Sequence, residues 1–113
     1  MIIHTFDEKG KEMEYEIVDV EGFLNGTPED DLILISEEVK NRNEYYTALK
    51  GLMEKEFVKC SEDEQDITEI EIERVESCIR DNSEVLDIVS DKLSFFNKLR
   101  LQELDSQIRA EAE

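Results

Sequence analysis

Only one side chain in this sequence could act as a conventional acid–base group near neutral pH, and it is His4, the single histidine among 113 residues. A nucleophilic serine or cysteine needs a neighbouring base and a third group that orients it. Neither a Gly-x-Ser-x-Gly pattern nor a catalytic cysteine motif is present. His4 lies in a predicted strand without a histidine partner, which favours a structural role. The sequence therefore predicts a protein that is not an enzyme.

Metal ligands are equally scarce. Cys60 and Cys78 form no Cys-x-x-Cys pair, and together with His4 they offer at most three of the four nitrogen or sulfur ligands of a structural zinc site. No acidic stretch has the pattern of an EF-hand calcium loop. We therefore expect no metal and no cofactor, and we interpret both cysteines as free thiols without a chemical role.

The net charge of -18, from 31 acidic and 13 basic residues, is the strongest feature of the composition. Phosphate backbones and anionic lipids repel such a chain, and its lysines and arginines are dispersed, so direct binding to nucleic acid or to a membrane is not expected. An acidic protein is attracted instead to basic partners. We expect the partner to be a basic protein, such as a nucleic-acid-binding enzyme.

The negative charge is concentrated in two blocks. Residues 7–31 contain ten acids and two bases, whereas residues 32–61 contain five of each. Residues 62–91 contain twelve acids and two bases, whereas residues 92–113 contain four of each. All the excess charge therefore lies in two segments separated by neutral ones, which is more organised than a uniformly charged surface.

The size of the chain indicates one domain, residues 1–113. No stretch approaches the roughly 18 apolar residues of a membrane span, and the N-terminal MIIHTFDEKG does not resemble a secretory signal. We expect a soluble cytoplasmic protein that is β-rich over residues 1–36 and helical over residues 43–110. Residues 109–113 are candidates for disorder.

Two short segments at the N-terminus read as an antiparallel hairpin, IIHTF (2–6) and EMEYEIVDV (12–20), with Gly10 in the turn between them. In the second segment apolar residues alternate with glutamates, so one face can pack inward while the other faces water. Residues 31–36, DLILIS, favour a third strand, although the preceding Thr-Pro-Glu-Asp also resembles a helix start. The acidic face of the second strand consists of Glu12, Glu14 and Glu16.

Apolar residues at helical spacing predict two further elements. One helix covers residues 44–58 with Asn43 as its cap, and another runs from a capping box at Ser61 to about Asp81. The stretch 21–30 between the strands and these helices reads as a connection. The apolar side of the second helix contains Ile67, Ile70, Val75 and Cys78.

The opposite side of that second helix carries carboxylates spaced by four, three, four and three residues, which stack in one stripe. Neighbours in the stripe advance about 5 Å along the helix axis. A DNA strand presents one charge per roughly 3.4 Å, so the stripe is a sparser row of the same kind. EIEIE (69–73) also alternates with strand period, and the stripe requires that this segment be helical. Its members are Glu62, Asp66, Glu69, Glu73 and Glu76.

The last element is predicted to begin at a Ser83 cap and to continue as a coiled-coil-like helix to about residue 110. Such a helix is about 40 Å long, longer than the core that this chain can build, so its far end needs a partner. Two alternatives stay open: a homodimer with the same helix of a second copy, or a fold back over residues 66–80 after a turn at 81–83. The residues predicted for self-association are Leu93, Phe96, Leu101, Leu104 and Ile108.

Together these patterns predict an α+β fold, with an N-terminal antiparallel hairpin or three-stranded sheet followed by about three helices, the last of them long. The two acidic rows favour a non-enzymatic inhibitor or regulator that occupies a basic surface of a nucleic-acid-binding protein. In size and charge pattern, though not in motif, the chain is similar to the anti-restriction and anti-CRISPR inhibitors of phages. The alternative is an assembly or adaptor protein, such as a phage structural component, that acts through its C-terminal helix while the acids maintain solubility.

Overall fold

A computed structural model describes residues 1–59 and 61–112 and confirms the predicted fold class. A two-stranded antiparallel hairpin is followed by three helices, and the last helix is 51 residues long. Cys60 and the C-terminal Glu113 lie outside the described residues, as does the interpretation of Cys60 as an idle thiol. The elements are β1 (Ile2–Phe6), β2 (Glu12–Glu16), α1 (Val20–Gly26), α2 (Glu29–Lys59) and α3 (Glu62–Ala112).

The hairpin turn forms where the sequence predicts it. Gly10 adopts a positive φ of 79°, a conformation that glycine reaches without a steric penalty. Asp7 organises the turn, because its Oδ1 accepts hydrogen bonds from the backbone nitrogens of Lys9 and Lys11 at 2.9 and 2.8 Å. The resulting register pairs His4 with Glu14.

The second strand is shorter than predicted, and the connection after it is partly helical. β2 ends at Glu16, and Val20–Gly26 form α1 in place of the predicted irregular stretch. Asp19 caps this helix, since its Oδ1 accepts a hydrogen bond from the Gly22 nitrogen at 3.0 Å. α1 forms because its Phe23 and Leu24 pack against the core, which an irregular chain would not align.

Residues 31–36 are helical, so the predicted third strand is wrong. They belong to the first turns of α2, which begins directly after Pro28 with three acids in its first turn. Leu32, Ile35 and Val39 lie on the core side at helical spacing, whereas Ile33 and Leu34 between them are exposed. Only the residues of this apolar run that lie on one side of the helix are packed in the core, whereas a central strand would bury both of its faces.

α2 also begins much earlier than the predicted helix over residues 44–58. Asn43 is an interior residue and not a cap, because α2 already starts at Glu29. Its side-chain nitrogen donates instead to the Ile79 carbonyl at 3.4 Å and to the Ser83 hydroxyl at 3.2 Å. The amide thus links α2 to α3, a use that local sequence does not reveal.

α3 is continuous through the Asp81-Asn82-Ser83 segment, so the predicted break, the Ser83 cap and the fold back over residues 66–80 are wrong. These residue types favour caps because their side chains bond the local backbone. Here Asp81 bonds His4 Nε2, Asn82 bonds the His4 backbone, and Ser83 accepts from Asn43. The side chains that could cap a helix end are bonded to distant residues instead, and α3 continues through this segment. It remains helical to Ala112, which includes most of the segment predicted as a candidate for disorder.

The core lies between α2 and α3 and has two parts. One contains Leu32, Val39, Val85 and Val89, and the hairpin and α1 add Met1, Ile3 and Phe23 to it. The other consists of Tyr46, Val75 and Cys78 with Leu49, Met53 and Ile79 beside them. The molecule is elongated, with extents of 77 × 25 × 23 Å, because α3 extends well beyond its partners. Among the described residues no helix is long and apolar enough to cross a bilayer.

Two residues of the predicted apolar side of α3 are not covered. Ile67 and Ile70 are 67% and 64% exposed, whereas Val75 and Cys78 are buried. At about 100° per residue, Ile67 and Ile70 lie on the side of α3 that the hairpin contacts farther along, at Arg74 and Asp81. The hairpin is too short to reach the first turns, which leaves the two isoleucines exposed.

Candidate functional site

The predicted acidic stripe lies on the solvent side of α3. Its first four members, Glu62, Asp66, Glu69 and Glu73, are exposed. At about 100° per residue they point away from the buried line Val75, Cys78, Asn82, Val85 and Val89. The fifth member, Glu76, is partly buried and lies 3.2 Å from the Lys50 ammonium of α2.

Because α3 does not break at residues 81–83, the stripe is longer than predicted. Glu84, Asp87 and Asp91 are exposed and continue the same side of the helix, with Arg80 as the single base in the row. From Glu62 to Asp91 the row spans about 44 Å at 1.5 Å per residue. The spacing of these acids was visible in the sequence, but the predicted break hid their alignment with the first five.

The second acidic row lies next to the first. Glu12, Glu14 and Glu16 are exposed on β2, and Glu12 Oε2 lies 3.0 Å from the Arg74 guanidinium of α3. Arg74 also contacts Glu71 Oε2 at 3.3 Å, so this one cation links the Glu12 end of the hairpin row to α3. The structure therefore brings the two predicted rows, which are distant in sequence, onto adjoining surfaces.

A cleft of about 410 Å³ opens between the hairpin and α3. Acidic, basic, sulfur and aromatic side chains meet in it. The lining residues are His4, Glu12, Met13, Glu14, Tyr46, Arg74, Ser77, Cys78 and Asp81.

His4 is held in this cleft by a fully buried asparagine. Asn82 Oδ1 accepts a hydrogen bond from the His4 backbone nitrogen at 2.8 Å, and Asn82 Nδ2 donates to the His4 carbonyl at 3.1 Å. These backbone groups face away from β2, so the amide pairs with the free edge of the sheet. The His4 ring then lies with Nε2 2.8 Å from Asp81 Oδ2. The predicted structural role of His4 is consistent with these contacts.

Three elements bring possible metal ligands together at this point. His4, Glu14 and Asp81 each place one ligand atom within 4.8 Å of the other two. The predicted hairpin brings the strand of His4 beside the strand of Glu14, but nothing in the sequence pointed to Asp81. Sequence reasoning missed this cluster because it depends on how the hairpin docks on α3.

The thiol and the phenol that line the cleft stay protonated and uncharged at neutral pH. Burial raises the pKa of the Cys78 thiol, so little thiolate forms at neutral pH and the sulfur is a weak nucleophile. Burial, with help from Cys78 and Glu12, raises the pKa of Tyr46 to about 12, so the phenol stays protonated. Both residues belong to the core, which agrees with the interpretation of Cys78 as a packed thiol.

The residues predicted for self-association fall into two groups. Leu93 and Phe96 pack against the core of the same chain. Beyond them, Arg100 pairs with Glu29, the first residue of α2. Past this point Leu101, Leu104 and Ile108 are 66%, 52% and 64% exposed. We call residues 101–112 the overhang of α3.

Comparison with protein-family models, with curated proteins and with solved structures found no match.

Proposed function

We propose that this protein is an inhibitor or regulator that binds a basic surface of a nucleic-acid-binding protein through its two acidic rows. The observation that carries the proposal is the row of eight carboxylates and one arginine along the solvent side of α3, from Glu62 to Asp91. A continuous helix fixes the backbone positions of the row, so no backbone ordering is needed when the partner docks.

The spacing of the row supports an electrostatic role. Neighbouring carboxylates advance about 5 Å along the axis, less than the Debye length of about 8 Å at physiological salt. Their potentials therefore add along the row. Arg80 and the Lys50 contact to Glu76 offset only part of this charge. The adjoining β2 row widens the negative surface toward the hairpin.

The row also has a cost in helix stability. Glu69 and Glu73 are four residues apart, as are Asp87 and Asp91, and like charges at this spacing destabilise a helix by a few tenths of a kcal/mol per pair. Solubility requires net charge but no alignment. Neither solubility nor helix stability therefore explains why these acids are aligned, and this supports a role of the row in binding.

A charge-reversal pair of variants tests the proposal. The stripe variant carries Glu69→Lys, Glu73→Lys and Asp87→Lys. The control variant carries Glu44→Lys, Glu56→Lys and Glu103→Lys, which are also exposed but lie off the stripe. Both change the net charge by the same amount, so they differ only in where the charge is removed.

Immobilised wild-type protein would first capture basic partners from a host lysate, with elution by rising salt and identification by mass spectrometry. Each captured protein would then be assayed for binding to a labelled 30-base-pair DNA duplex and to a single-stranded RNA. We expect the wild type and the control variant to displace the nucleic acid, and the stripe variant to be at least about tenfold weaker. Equal loss in both variants would show that only net charge matters, and that result would contradict the proposal.

A second candidate function is assembly through the overhang, and a specific observation favours it. At about 100° per residue, Leu101, Leu104 and Ile108 continue the side of α3 that α2 covers in the body of the molecule. α2 begins at Glu29, beside Arg100, and does not cover the overhang, so another helix can pack there. The segment 92–113 contains four acids and four bases, and the overhang itself three acids and one base, so two copies repel each other much less here than the acidic blocks would.

Charge also decides the orientation of such a dimer. Two parallel copies would place their acidic blocks side by side. An antiparallel pairing centred near residue 106 separates the two Asp91 residues by about 45 Å along the axis, far beyond the Debye length. Assembly through the overhang is therefore expected to be antiparallel and end to end.

Leu104→Glu should dissociate this dimer, because it places a charge in the apolar contact. Gln102→Glu adds the same charge at an exposed position on the solvent side and should leave the dimer intact. Sedimentation equilibrium at several concentrations measures the difference. A wild-type protein that remains monomeric throughout would eliminate self-assembly as the function.

A further inference from the structure

His4, Glu14 and Asp81 offer one imidazole nitrogen and two carboxylate oxygens, with one atom from each within 4.8 Å of the others. The three residues come from β1, β2 and α3, so the cluster exists only in the folded protein. Among the described residues it is the one group of this kind, and its ligands differ from the carboxylate-only rows of the surface.

The scaffold holds these side chains in position. Asn82 is fully buried and bonds both backbone groups of His4, while Asp81 precedes it in the same helix. Glu14 lies opposite His4 in the hairpin ladder. The His4 side chain is 13% exposed and the Asp81 side chain 34% exposed, so the ring is enclosed while the carboxylate reaches the cleft. His4 and Asp81, which are held by hydrogen bonds, lose little freedom when an ion binds, and the strand pairing fixes the backbone position of Glu14.

We infer that His4, Glu14 and Asp81 form a binding site for a divalent transition-metal ion of the Zn²⁺ class, with water as the remaining ligand. The imidazole selects this class, since Ca²⁺ and Mg²⁺ favour oxygen ligands throughout. Three protein ligands and an open cleft leave a coordination position for water, the arrangement of open zinc sites.

Binding requires one change in the present contacts. The His4 Nε2 to Asp81 Oδ2 contact of 2.8 Å holds a proton between nitrogen and oxygen. The ion takes the place of that proton, which the neutral ring carries on Nδ1 instead, so that the Nε2 lone pair faces the ion. The Nε2 and Oδ2 atoms then separate to the spacing of neighbouring zinc ligands through small side-chain rotations. The bound ion would tie the hairpin to α3 more firmly than the hydrogen bond does.

The single histidine of the chain makes a direct test possible. ZnCl₂ would be titrated into the purified protein while the ring resonances of His4 are followed by NMR, and calorimetry would give the stoichiometry. We expect one ion per chain, a saturable shift of the His4 ring signals, and a rise in the thermal unfolding midpoint. Co²⁺ in place of Zn²⁺ should give a visible absorption spectrum without a thiolate charge-transfer band.

The decisive variant is Glu14→Gln, because Glu14 is exposed and its replacement leaves the hairpin docking intact. Its matched control is Glu16→Gln, which removes the same charge from the same row but lies outside the cluster. We expect Zn²⁺ binding to weaken at least tenfold in Glu14→Gln and less than about twofold in Glu16→Gln. Asp81→Asn provides a second test from the α3 side.

Equal weakening in Glu14→Gln and Glu16→Gln, or several weak ions per chain, would mean an adventitious ion only and would overturn the inference. A cobalt–thiolate band would overturn it too, because a cysteine would then hold the ion. The experiment uses no protein partner, so its result is independent of whether the acidic rows bind a basic surface.

Discussion

Replacing Glu84 with proline is expected to lower the free energy of unfolding by about 3 kcal/mol or more. Glu84 is exposed in the interior of α3, so the substitution removes no buried side chain. Proline there removes the backbone hydrogen bond to the fourth residue before it and forces its ring against that turn. The kink would fall beside Asn82 and Val85, which are fully buried, and would disturb the hairpin contact and the core together.

The same variant distinguishes the continuous helix from the break that the sequence predicts. If a helix began at a Ser83 cap, Glu84 would be its first residue, where proline is well tolerated. Glu62→Pro is the matched control, because Glu62 is the first residue of α3 and is also an exposed glutamate. We expect a change within about 0.5 kcal/mol for Glu62→Pro by urea denaturation. A similarly small cost for Glu84→Pro would refute a continuous α3.

Asn82→Ala should cost about 3 kcal/mol and release the hairpin. The side chain is fully buried and bonds both the nitrogen and the carbonyl of His4. Its removal leaves one buried donor and one buried acceptor unpaired, at about 1–3 kcal/mol each, with partial compensation by water. Amide hydrogen exchange at His4 should accelerate more than exchange in the α2–α3 core, because the hairpin loses its attachment before the helices separate.

An exposed asparagine provides the comparison. Asn25 Oδ1 accepts a hydrogen bond from Lys92 Nζ at 3.0 Å on the surface, and Asn25→Ala should change stability by less than about 0.5 kcal/mol. If Asn82→Ala were no more damaging than Asn25→Ala, the asparagine would not be what attaches β1 to α3. Circular dichroism of both variants without denaturant, compared with the wild type, would establish that they keep their helical content.

Hairpin docking also links the two proposed binding properties. The same attachment places the β2 row beside the α3 row and brings His4 and Glu14 to Asp81. A cation bound at His4, Glu14 and Asp81 would reduce the negative potential around these residues and would hold the hairpin against α3. Zn²⁺ is therefore expected to stabilise the arrangement of the two rows.

The sequence by itself determined the features that depend on local chemistry. Alternation of glutamates with apolar residues around Gly10 predicted the hairpin, and carboxylates at spacings of three and four predicted an exposed stripe on a helix. Charge counting located the acidic blocks. The stripe and the hairpin form as predicted because side-chain periodicity is set by the geometry of a single strand or helix, whatever packs against it. Periodicity did not determine which face of β2 turns inward: Tyr15 of the predicted inward face is 47% exposed, whereas Glu12 and Glu14 line the cleft beside α3.

Only the tertiary structure decided where the helices begin and end and what their polar residues do. Residues 31–36 have the composition of a strand, yet they are helical because Leu32, Ile35 and Val39 share one side against α3. Asp81, Asn82 and Ser83 have the composition of a helix end, yet α3 continues because His4 and Asn43 use their side chains. Local preferences are worth about 1 kcal/mol per residue, and a buried hydrogen bond or apolar contact from a distant element outweighs them.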